Sequence, residues 1–579
     1  MPRLSIPHRS PTDRGPLLIS GRKSIRTEQI SSIVFPILIQ IPLEFTASKG
    51  FCQIIRFVFF PDYHAMNSKK SPRGLISSSL NLLERAGNRL PDPLILYFGF
   101  ALLIPVLSWI ISFVGWNRVH PVTGETIGLI NLLTADQIQR MFIEAEHNFT
   151  SFPPLGAVLV TMLGIGVAER SGLIGTSLKL LVESTPQSLI SVVVVFAGVM
   201  SSMAADAGYV VLTPLGAVLF AGMGRHPLAG LCAAFAGTGG GFSANLLLTS
   251  LDPLLSGFTQ SAAQLYDAER SVTADANYFF MIASVLVVTT AGWFVTERIV
   301  EPRLGQWKPN VNEGETERER EQDLAIQAIS PVERKGLWGA LAAFVITATV
   351  LAVLTIPQNA VLRGAEGSLA PMVQSLVIII MLFFIFPGLI YGWIVGTGRS
   401  SKQLAGMMGD TMATMGGYIV LAFAAAQFVA FFQWSNMGLL TALTGAEILK
   451  GLGVGNLPLI LTFVFLAAGI NLVIGSASAK WGIMAPVFVP MFMALGLSPE
   501  MTQAAYRVGD SITNMITPLN PYFPIVLSFA LRYDRKLGIG TLVSSMIPYS
   551  IAFAIGWTIL LIAWYILGLP LGPGAGINL

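Results

Sequence analysis

The chain has 579 residues, of which 53% are hydrophobic and only 12% are charged. So few charged side chains cannot cover a soluble protein of this length, and apolar runs recur that are long enough to cross a bilayer. The formal net charge of +3 is too small to indicate a nucleic-acid partner. We therefore predict an all-α polytopic membrane protein embedded in the lipid bilayer, with roughly nine to eleven crossings.

Changes in composition divide the chain into four parts. An Arg- and Ser-rich N-terminal extension is expected to be disordered, or to precede a true start at Met66. Lysines and arginines just before the first apolar run place the N-terminus in the cytoplasm, and a second basic-rich stretch predicts a cytoplasmic linker. The predicted parts are the extension 1–75, a first transmembrane half 76–297, the linker 298–335 and a second transmembrane half 336–579.

The two halves contain matching sequence blocks. At an offset of 272 residues, segment 204–209 lies over 476–481 and Pro227 lies over Pro499; at an offset of 268, segment 249–253 lies over 517–521. The loop before Pro227 is basic, whereas the loop before Pro499 has no cation. Basic loops tend to face the cytoplasm, so the halves are expected to have inverted topology.

Inverted repeats with short, interrupted helices are typical of secondary transporters, whose site lies where the repeats meet. The 57 glycines and 34 prolines predict such broken helices and re-entrant hairpins, because they interrupt helical hydrogen bonding. The polar segments that this predicts at the site are 204–209, 237–253, 471–481 and 507–521.

Arg507 and Asp510 are three residues apart, so they share one face of a helix and could pair with each other. One interpretation is a structural ion pair between helices. In the other, Arg507 presents its planar guanidinium to a substrate carboxylate, and Asp510 orients it or responds to a coupling ion.

Asp206 is the single acid between Glu183 and Asp252 and lies among small residues. A buried carboxylate that takes up and releases a proton or sodium ion can couple transport to a gradient. Asp206 could also cap a broken helix, and the two roles are compatible.

Other polar and aromatic residues offer neutral contacts. Trp481 and Tyr209 occupy matched repeat positions and could stack on an aromatic substrate, or mark a membrane interface. The neutral hydrogen-bonding candidates are Asn245, Asn471, Ser476 and Ser478, although serines among small residues often only pack helices together.

Several site classes are not supported by the sequence. The glycines at 237–241 lack the following Lys-Ser/Thr of a phosphate-binding loop. We find no metal-ligand spacing and no nucleophile with a base, and the two cysteines, Cys52 and Cys232, predict neither a disulfide nor a thiolate site. The sequence thus predicts no enzyme, metal or cofactor beyond a coupling ion, H⁺ or Na⁺.

These residues, together with segments 301–307, 433–438 and 568–574, resemble the p-aminobenzoyl-glutamate transporter (AbgT) family over about residues 75–575. The resemblance implies a homodimeric transporter of the bacterial inner membrane, with nine spanning helices and two hairpins per protomer. It also implies uptake of p-aminobenzoyl-glutamate or export of sulfonamide antimetabolites, driven by a cation gradient. The implied site residues are Asp206, Asn471, Ser478, Trp481, Arg507 and Asp510, with helix-breaking prolines at Pro499 and Pro518.

The sequence therefore predicts a secondary active transporter of small aromatic carboxylates. A sodium-coupled dicarboxylate carrier would share the hairpin architecture, and flux of succinate would favour it. A polytopic membrane enzyme or a channel are further alternatives; product formation without a membrane gradient would indicate the enzyme.

Overall fold

A computed structural model describes residues 93–119, 124–183, 185–204, 208–307, 329–364, 368–517, 520, 522–534 and 537–579. The extension 1–75, most of the charged linker, Asp206 and Pro518 lie outside these residues. The predictions for them therefore stay predictions.

The regular secondary structure of the described first half is helical apart from one short hairpin, in which Asn117–Val119 (β1) pairs antiparallel with Thr126–Gly128 (β2). Short π-helical segments at Gly208–Leu212, Ala236–Gly240 and Thr296–Val300 and 3₁₀ turns at Gln187–Leu189 and Ser202–Ala204 interrupt its helices. The α-helices are Pro93–Ser112 (α1), Ala135–Ile143 (α2), Ala145–Thr150 (α3), Pro153–Arg170 (α4), Leu173–Glu183 (α5), Ile190–Ser201 (α6), Thr213–Gly222 (α7), Pro227–Phe235 (α8), Leu251–Ala263 (α9), Tyr278–Val295 (α10) and Glu301–Leu304 (α11).

The second half continues the same pattern. Its helices are Pro331–Thr355 (α12), Ala370–Gln374 (α13), Leu376–Val395 (α14), Ser401–Thr414 (α15), Gly416–Trp434 (α16), Met437–Gly451 (α17), Asn456–Asn471 (α18), Ala477–Met493 (α19), Pro499–Ile512 (α20), Phe523–Tyr533 (α21) and Ile539–Leu567 (α22).

Among the described residues, six helices are long and apolar enough to cross a bilayer, namely α1, α10 with its continuation to Leu304, α12, α14, α16 and α22. A seventh crossing results if α4 and α5, bent by 62° at their junction, count as one span. The other apolar helices are shorter, such as α18 and α19. The predicted all-α polytopic membrane fold with interrupted helices is confirmed.

Close helix packing explains part of the glycine content. Helix α14 packs on both α4 and α12. A Cβ atom on Gly164 of α4 would lie 2.4 Å from the backbone oxygen of Met381 on α14. Only glycine permits this approach of two backbones, which is a common way for membrane helices to associate.

The repeat predicted from sequence is visible in the backbone. Gly224 and Gly496, equivalent at the offset of 272, both adopt positive φ angles, of 71° and 87°. Each lies three residues before a proline that begins a helix, Pro227 for α8 and Pro499 for α20. Proline suits the first helical position because its missing N–H would have no helical partner there.

The two equivalent loops lie at opposite ends of the long, adjacent helices α10 and α22. Arg225, in the first loop, pairs with Glu301 just beyond the end of α10. Ser498, in the second loop, bonds through its backbone N–H to Ile577 in the C-terminal tail at 2.9 Å, and this tail also bonds the start of α10. The predicted inverted topology is therefore confirmed.

Candidate transport site

The candidate site lies where α18, α19 and α20 of the second half meet α9 and the helix breaks of both halves. Asn514, in the break after α20, donates to the backbone oxygen of Gly239 in the first-half break at 3.2 Å. Helix α20 is buried along its whole length, although it carries several polar side chains. Buried polar groups need partners, so their contacts define the site.

Asn471 makes side-chain hydrogen bonds to several of these elements. It ends α18, and its amide nitrogen lies 2.6 Å from the backbone oxygen of Asp510 and 2.9 Å from the side-chain oxygens of both Thr513 and Asn514. Its side-chain oxygen accepts from Lys480 Nζ. The predicted neutral site residue Asn471 therefore connects α18, α19 and the end of α20.

Lys480 and Asp510 form a fully buried ion pair between α19 and α20. The hydroxyl of Tyr506 donates to the backbone oxygen of Ala477 at 2.6 Å and lies 3.3 Å from the same Asp510 oxygen. The second carboxylate oxygen of Asp510, Oδ2, has no hydrogen-bond partner among the described residues. A buried carboxylate oxygen without a donor is well suited to receive a cation or a proton.

Arg507 forms a second buried ion pair, with Asp252 of α9, in which Arg507 Nη2 lies 2.5 Å from Asp252 Oδ1. Arg507 Nη1 lies 3.3 Å from the sulfur of Met281, and Nε has no hydrogen-bond partner among the described residues. Arg507 and Asp510 were expected to be able to pair with each other, and this expectation is wrong. Although they share a helix, each side chain points to a charge on a different neighbouring helix.

Trp481 is held in a polar and aromatic setting. Its ring stacks on Tyr506 with centroids 4.4 Å apart, and its indole N–H donates to Thr259 Oγ1 at 2.9 Å. Thr259 in turn donates to Gln503, whose amide bonds Asn277 at 2.8 Å. Trp481 is completely buried, so its ring packs within the protein in this conformation.

The remaining predicted residues lie around this centre. Ser476 caps α19 by accepting from the N–H of Ala479, and its hydroxyl lies 3.2 Å from that of Ser478; both serines are half-buried. Asn245 lies in the first-half break, where its amide donates to Ser202 at 2.9 Å. Pro499 begins α20, with Ser498 as its cap.

Tyr209 stacks on Tyr522 of the other half, with centroids 4.4 Å apart and nearly parallel rings. The matched repeat positions Tyr209 and Trp481 thus both carry stacked aromatic pairs. Gly239 lies beside this pair, since a Cβ atom there would be 3.6 Å from the hydroxyl of Tyr209.

Sequence reasoning did not identify Asp252 as a site residue, and gave Lys480 no partner. The repeat contained a signal for Asp252, which lies over Asn520 at the offset of 268. Among the described residues there is no group of three or more His, Cys, Asp or Glu side chains able to hold a metal ion. A large apolar cavity of about 1100 Å³ is lined mainly by α5, α12 and α14 and reaches Leu247 and Leu248 of the predicted segment 237–253. None of the individual predicted site residues lines it.

The sequence is 37% identical over 495 residues to the p-aminobenzoyl-glutamate transport protein of Escherichia coli (strain K12), covering 85% of this chain and 95% of that protein. The crystal structure of the YdaH transporter of Alcanivorax borkumensis matches with a TM-score of 0.79 and 45% identity, over 83% of this chain and all of that one.

The structure of MtrF from Neisseria gonorrhoeae, described as illuminating a class of antimetabolite efflux pumps, matches with a TM-score of 0.81 and 44% identity. That match covers 86% of this chain and all of MtrF. The model of the AbgT putative transporter family matches residues 78–579. The chain therefore belongs to the AbgT family, as its sequence motifs indicated.

Proposed function

We propose that this protein is a secondary active transporter of p-aminobenzoyl-glutamate and related aromatic carboxylates, and that it also exports sulfonamide antimetabolites. The observation that carries the proposal is the buried guanidinium of Arg507, whose Nε has no hydrogen-bond partner among the described residues. An arginine with free donors in a water-poor site is suited to bind a carboxylate through two parallel hydrogen bonds.

In this proposal the predicted neutral residues of the site receive the rest of the ligand. Asn471, Ser476, Ser478 and Asn245 are the proposed hydrogen-bonding contacts, and Trp481 is the proposed contact of the aminobenzoyl ring. Because Trp481 stacks on Tyr506 here, its contact with a ligand requires a conformation in which this aromatic pair opens.

The proposed coupling residues are Asp206 and Asp510, which would bind H⁺ or Na⁺. The free Oδ2 of Asp510 supports this role. Binding of a cation there would weaken the attraction of Asp510 for Lys480, because the cation neutralises the same carboxylate. Ion binding would thereby loosen the contact between α19 and α20, which is how a gradient could drive the conformational change.

We further propose a homodimer in the bacterial inner membrane, with its N-terminus in the cytoplasm and no enzymatic activity. The pairing of Arg225 with Glu301 supports the orientation, because it places the basic first-half loop at the end of the molecule where the charged linker begins. By the distribution of basic residues that end faces the cytoplasm.

The test is uptake of labelled p-aminobenzoyl-glutamate into proteoliposomes under separately imposed proton and sodium gradients, with succinate as a comparison substrate. We expect concentrative flux under one of the gradients, loss of that flux in Asp206→Asn, and residual exchange in the variant. Flux of succinate without p-aminobenzoyl-glutamate transport would indicate the dicarboxylate carrier instead. Product formation in detergent would indicate an enzyme.

A further inference from the structure

Asp252 is an unusual partner for Arg507 because it is anchored independently of that arginine. It lies in the first turn of α9, and its second oxygen, Oδ2, accepts from the backbone N–H of Thr249 at 2.6 Å and from the Thr249 hydroxyl at 3.0 Å. The positive end of the helix dipole of α9 also favours a carboxylate at this position. Asp252 therefore keeps part of its stabilisation when Arg507 moves away.

The guanidinium of Arg507 is only partly used by Asp252. A single nitrogen, Nη2, bonds a carboxylate oxygen; Nη1 contacts the sulfur of Met281, and Nε has no partner among the described residues. A carboxylate that binds two guanidinium nitrogens makes a stronger and more specific contact than one that binds a single nitrogen. A ligand carboxylate can therefore replace Asp252 with a better geometry.

The four buried charges of the site compensate one another in two pairs. Lys480 and Asp510 neutralise each other, and so do Arg507 and Asp252. All four side chains are almost completely buried. A buried guanidinium without a counter-ion is strongly destabilising, so without Asp252 the empty site would hold an uncompensated positive charge.

We propose that Asp252 is the internal counter-ion of Arg507, occupying the guanidinium in the empty transporter and yielding it to the carboxylate of the substrate. The inference rests on the proposed function, in which Arg507 binds that carboxylate. Asp252 then sets specificity, because a ligand must compete with it for Arg507. It also allows the empty site to change between its inward-facing and outward-facing conformations without an unpaired charge.

Removal of the Asp252 carboxylate should strengthen the binding of anionic ligands and leave the binding of uncharged ligands unchanged. The apparent affinity for a ligand falls in proportion to the fraction of protein in which its site is free, so an Arg507 that is paired about 90% of the time or more lowers affinity at least about tenfold. We expect Asp252→Asn to bind p-aminobenzoyl-glutamate at least about tenfold more tightly than wild type by isothermal titration calorimetry in nanodiscs. Binding of its uncharged dimethyl ester should not change.

The same variant should affect two modes of transport, exchange and net uptake, differently. Exchange of internal for external p-aminobenzoyl-glutamate never requires the empty site to reorient, so it should persist in Asp252→Asn. Net uptake requires this return step, and we expect it to slow at least about tenfold because the return now carries an unpaired buried charge. A purely structural role of Asp252 would lower both rates together.

Glu500→Gln is the matched control. Glu500 lies on the same helix as Arg507 and pairs with Arg270, at 3.1 and 3.0 Å, so this variant also removes an ion pair between α20 and the first half. We expect it to leave both affinities and the ratio of exchange to net uptake unchanged. Asp252→Ser, whose hydroxyl can still accept from the N–H of Thr249, repeats the test if the asparagine variant does not fold.

The outcomes separate the two proposals. Wild-type protein that fails to bind p-aminobenzoyl-glutamate overturns the proposed function. Wild-type protein that binds it, with an Asp252 variant that binds it equally or more weakly, overturns only the counter-ion role. Tighter binding with unimpaired net uptake also overturns that role, because the empty site would then return without its counter-ion.

Discussion

The two halves of the repeat share their backbone plan but differ in the charges that their broken segments carry. Described residues 236–250 of the first half contain no charged side chain. At the offset of 268, Arg507 stands over Gly239 and Asp510 over Phe242, so the second half introduces both charges at positions that are neutral in the first. The first half contributes a backbone oxygen at Gly239 and the carboxylate of Asp252.

This difference indicates a division of labour between structurally equivalent elements. Helix breaks need close backbone approach and capping in both halves, and these are supplied by glycine, proline and neutral polar residues. Ligand and ion chemistry requires charge, and a buried charge requires a partner. Among the described residues, the second half therefore carries Lys480, Arg507 and Asp510, and Asp252 of the first half completes their pairing. The proposed coupling residue Asp206 is a further first-half acid, which lies outside the described residues.

The largest effect that we expect in this comparison is on stability, in Lys480→Met. The change leaves Asp510 buried without its cation, and removing one member of a buried ion pair costs about 3–5 kcal/mol. Thermal unfolding of the purified protein should therefore begin at a clearly lower temperature. Lys480→Met combined with Asp510→Leu should regain much of this stability without regaining gradient-driven flux.

Lys402→Met is the control for the lysine substitution, because Lys402 is exposed and its loss should leave thermal unfolding unchanged. Wild-type stability in Lys480→Met would contradict the importance of the Lys480–Asp510 pair.

The next largest effect is on affinity, in Arg507→Lys. Lysine keeps the positive charge but cannot reproduce the planar arrangement of donors, so the variant should lose part of the charge-assisted hydrogen bonding to a carboxylate. Such bonds contribute about 1.5–3 kcal/mol, which corresponds to a roughly tenfold to hundredfold weaker affinity for p-aminobenzoyl-glutamate in calorimetry. Arg270→Lys, at the neighbouring ion pair of α20, should leave affinity unchanged. If Arg507→Lys binds p-aminobenzoyl-glutamate as tightly as wild type, Arg507 has only a structural role.

Features that depend on local structure could be predicted from the sequence, whereas contacts that depend on tertiary packing could not. The positions of the two equivalent loops before α8 and α20 were predictable because Gly224, Gly496, Pro227 and Pro499 impose local backbone geometry. The three-residue spacing correctly placed Arg507 and Asp510 on one helix. Spacing could not reveal their partners, because Asp252 is 255 residues away from Arg507 and meets it only through the packing of the two halves.

Trp481 illustrates the same limit for an aromatic side chain. Because the indole ring is partly polar and partly apolar, the sequence predicted that Trp481 lies either at a membrane interface or beside a substrate cavity, and did not distinguish the two. The structure places it against Tyr506 and Thr259, in the buried network between α9, α19 and α20. That network depends on Gln503 and Asn277, whose contribution is visible only after the helices are packed.

The smallest effect should come from the first-half residue Asn245, in Asn245→Ala. Its amide already donates to Ser202, so truncation removes a hydrogen bond worth about 1 kcal/mol of folding stability. We expect affinity for p-aminobenzoyl-glutamate to weaken less than about threefold, a change below about 0.7 kcal/mol. A loss as large as that of Arg507→Lys would contradict the division of labour, since it would place a major ligand contact in the first half.

The most direct test of the central claim is the affinity of the purified wild-type protein for p-aminobenzoyl-glutamate compared with its uncharged dimethyl ester. The two ligands share the aromatic ring and the amide and differ in the carboxylates that Arg507 is proposed to bind. We predict that the dicarboxylate binds at least about tenfold more tightly, as expected for a charge-assisted contact. Equal affinities would contradict the account, because Arg507 would then contribute nothing to recognition of the carboxylate.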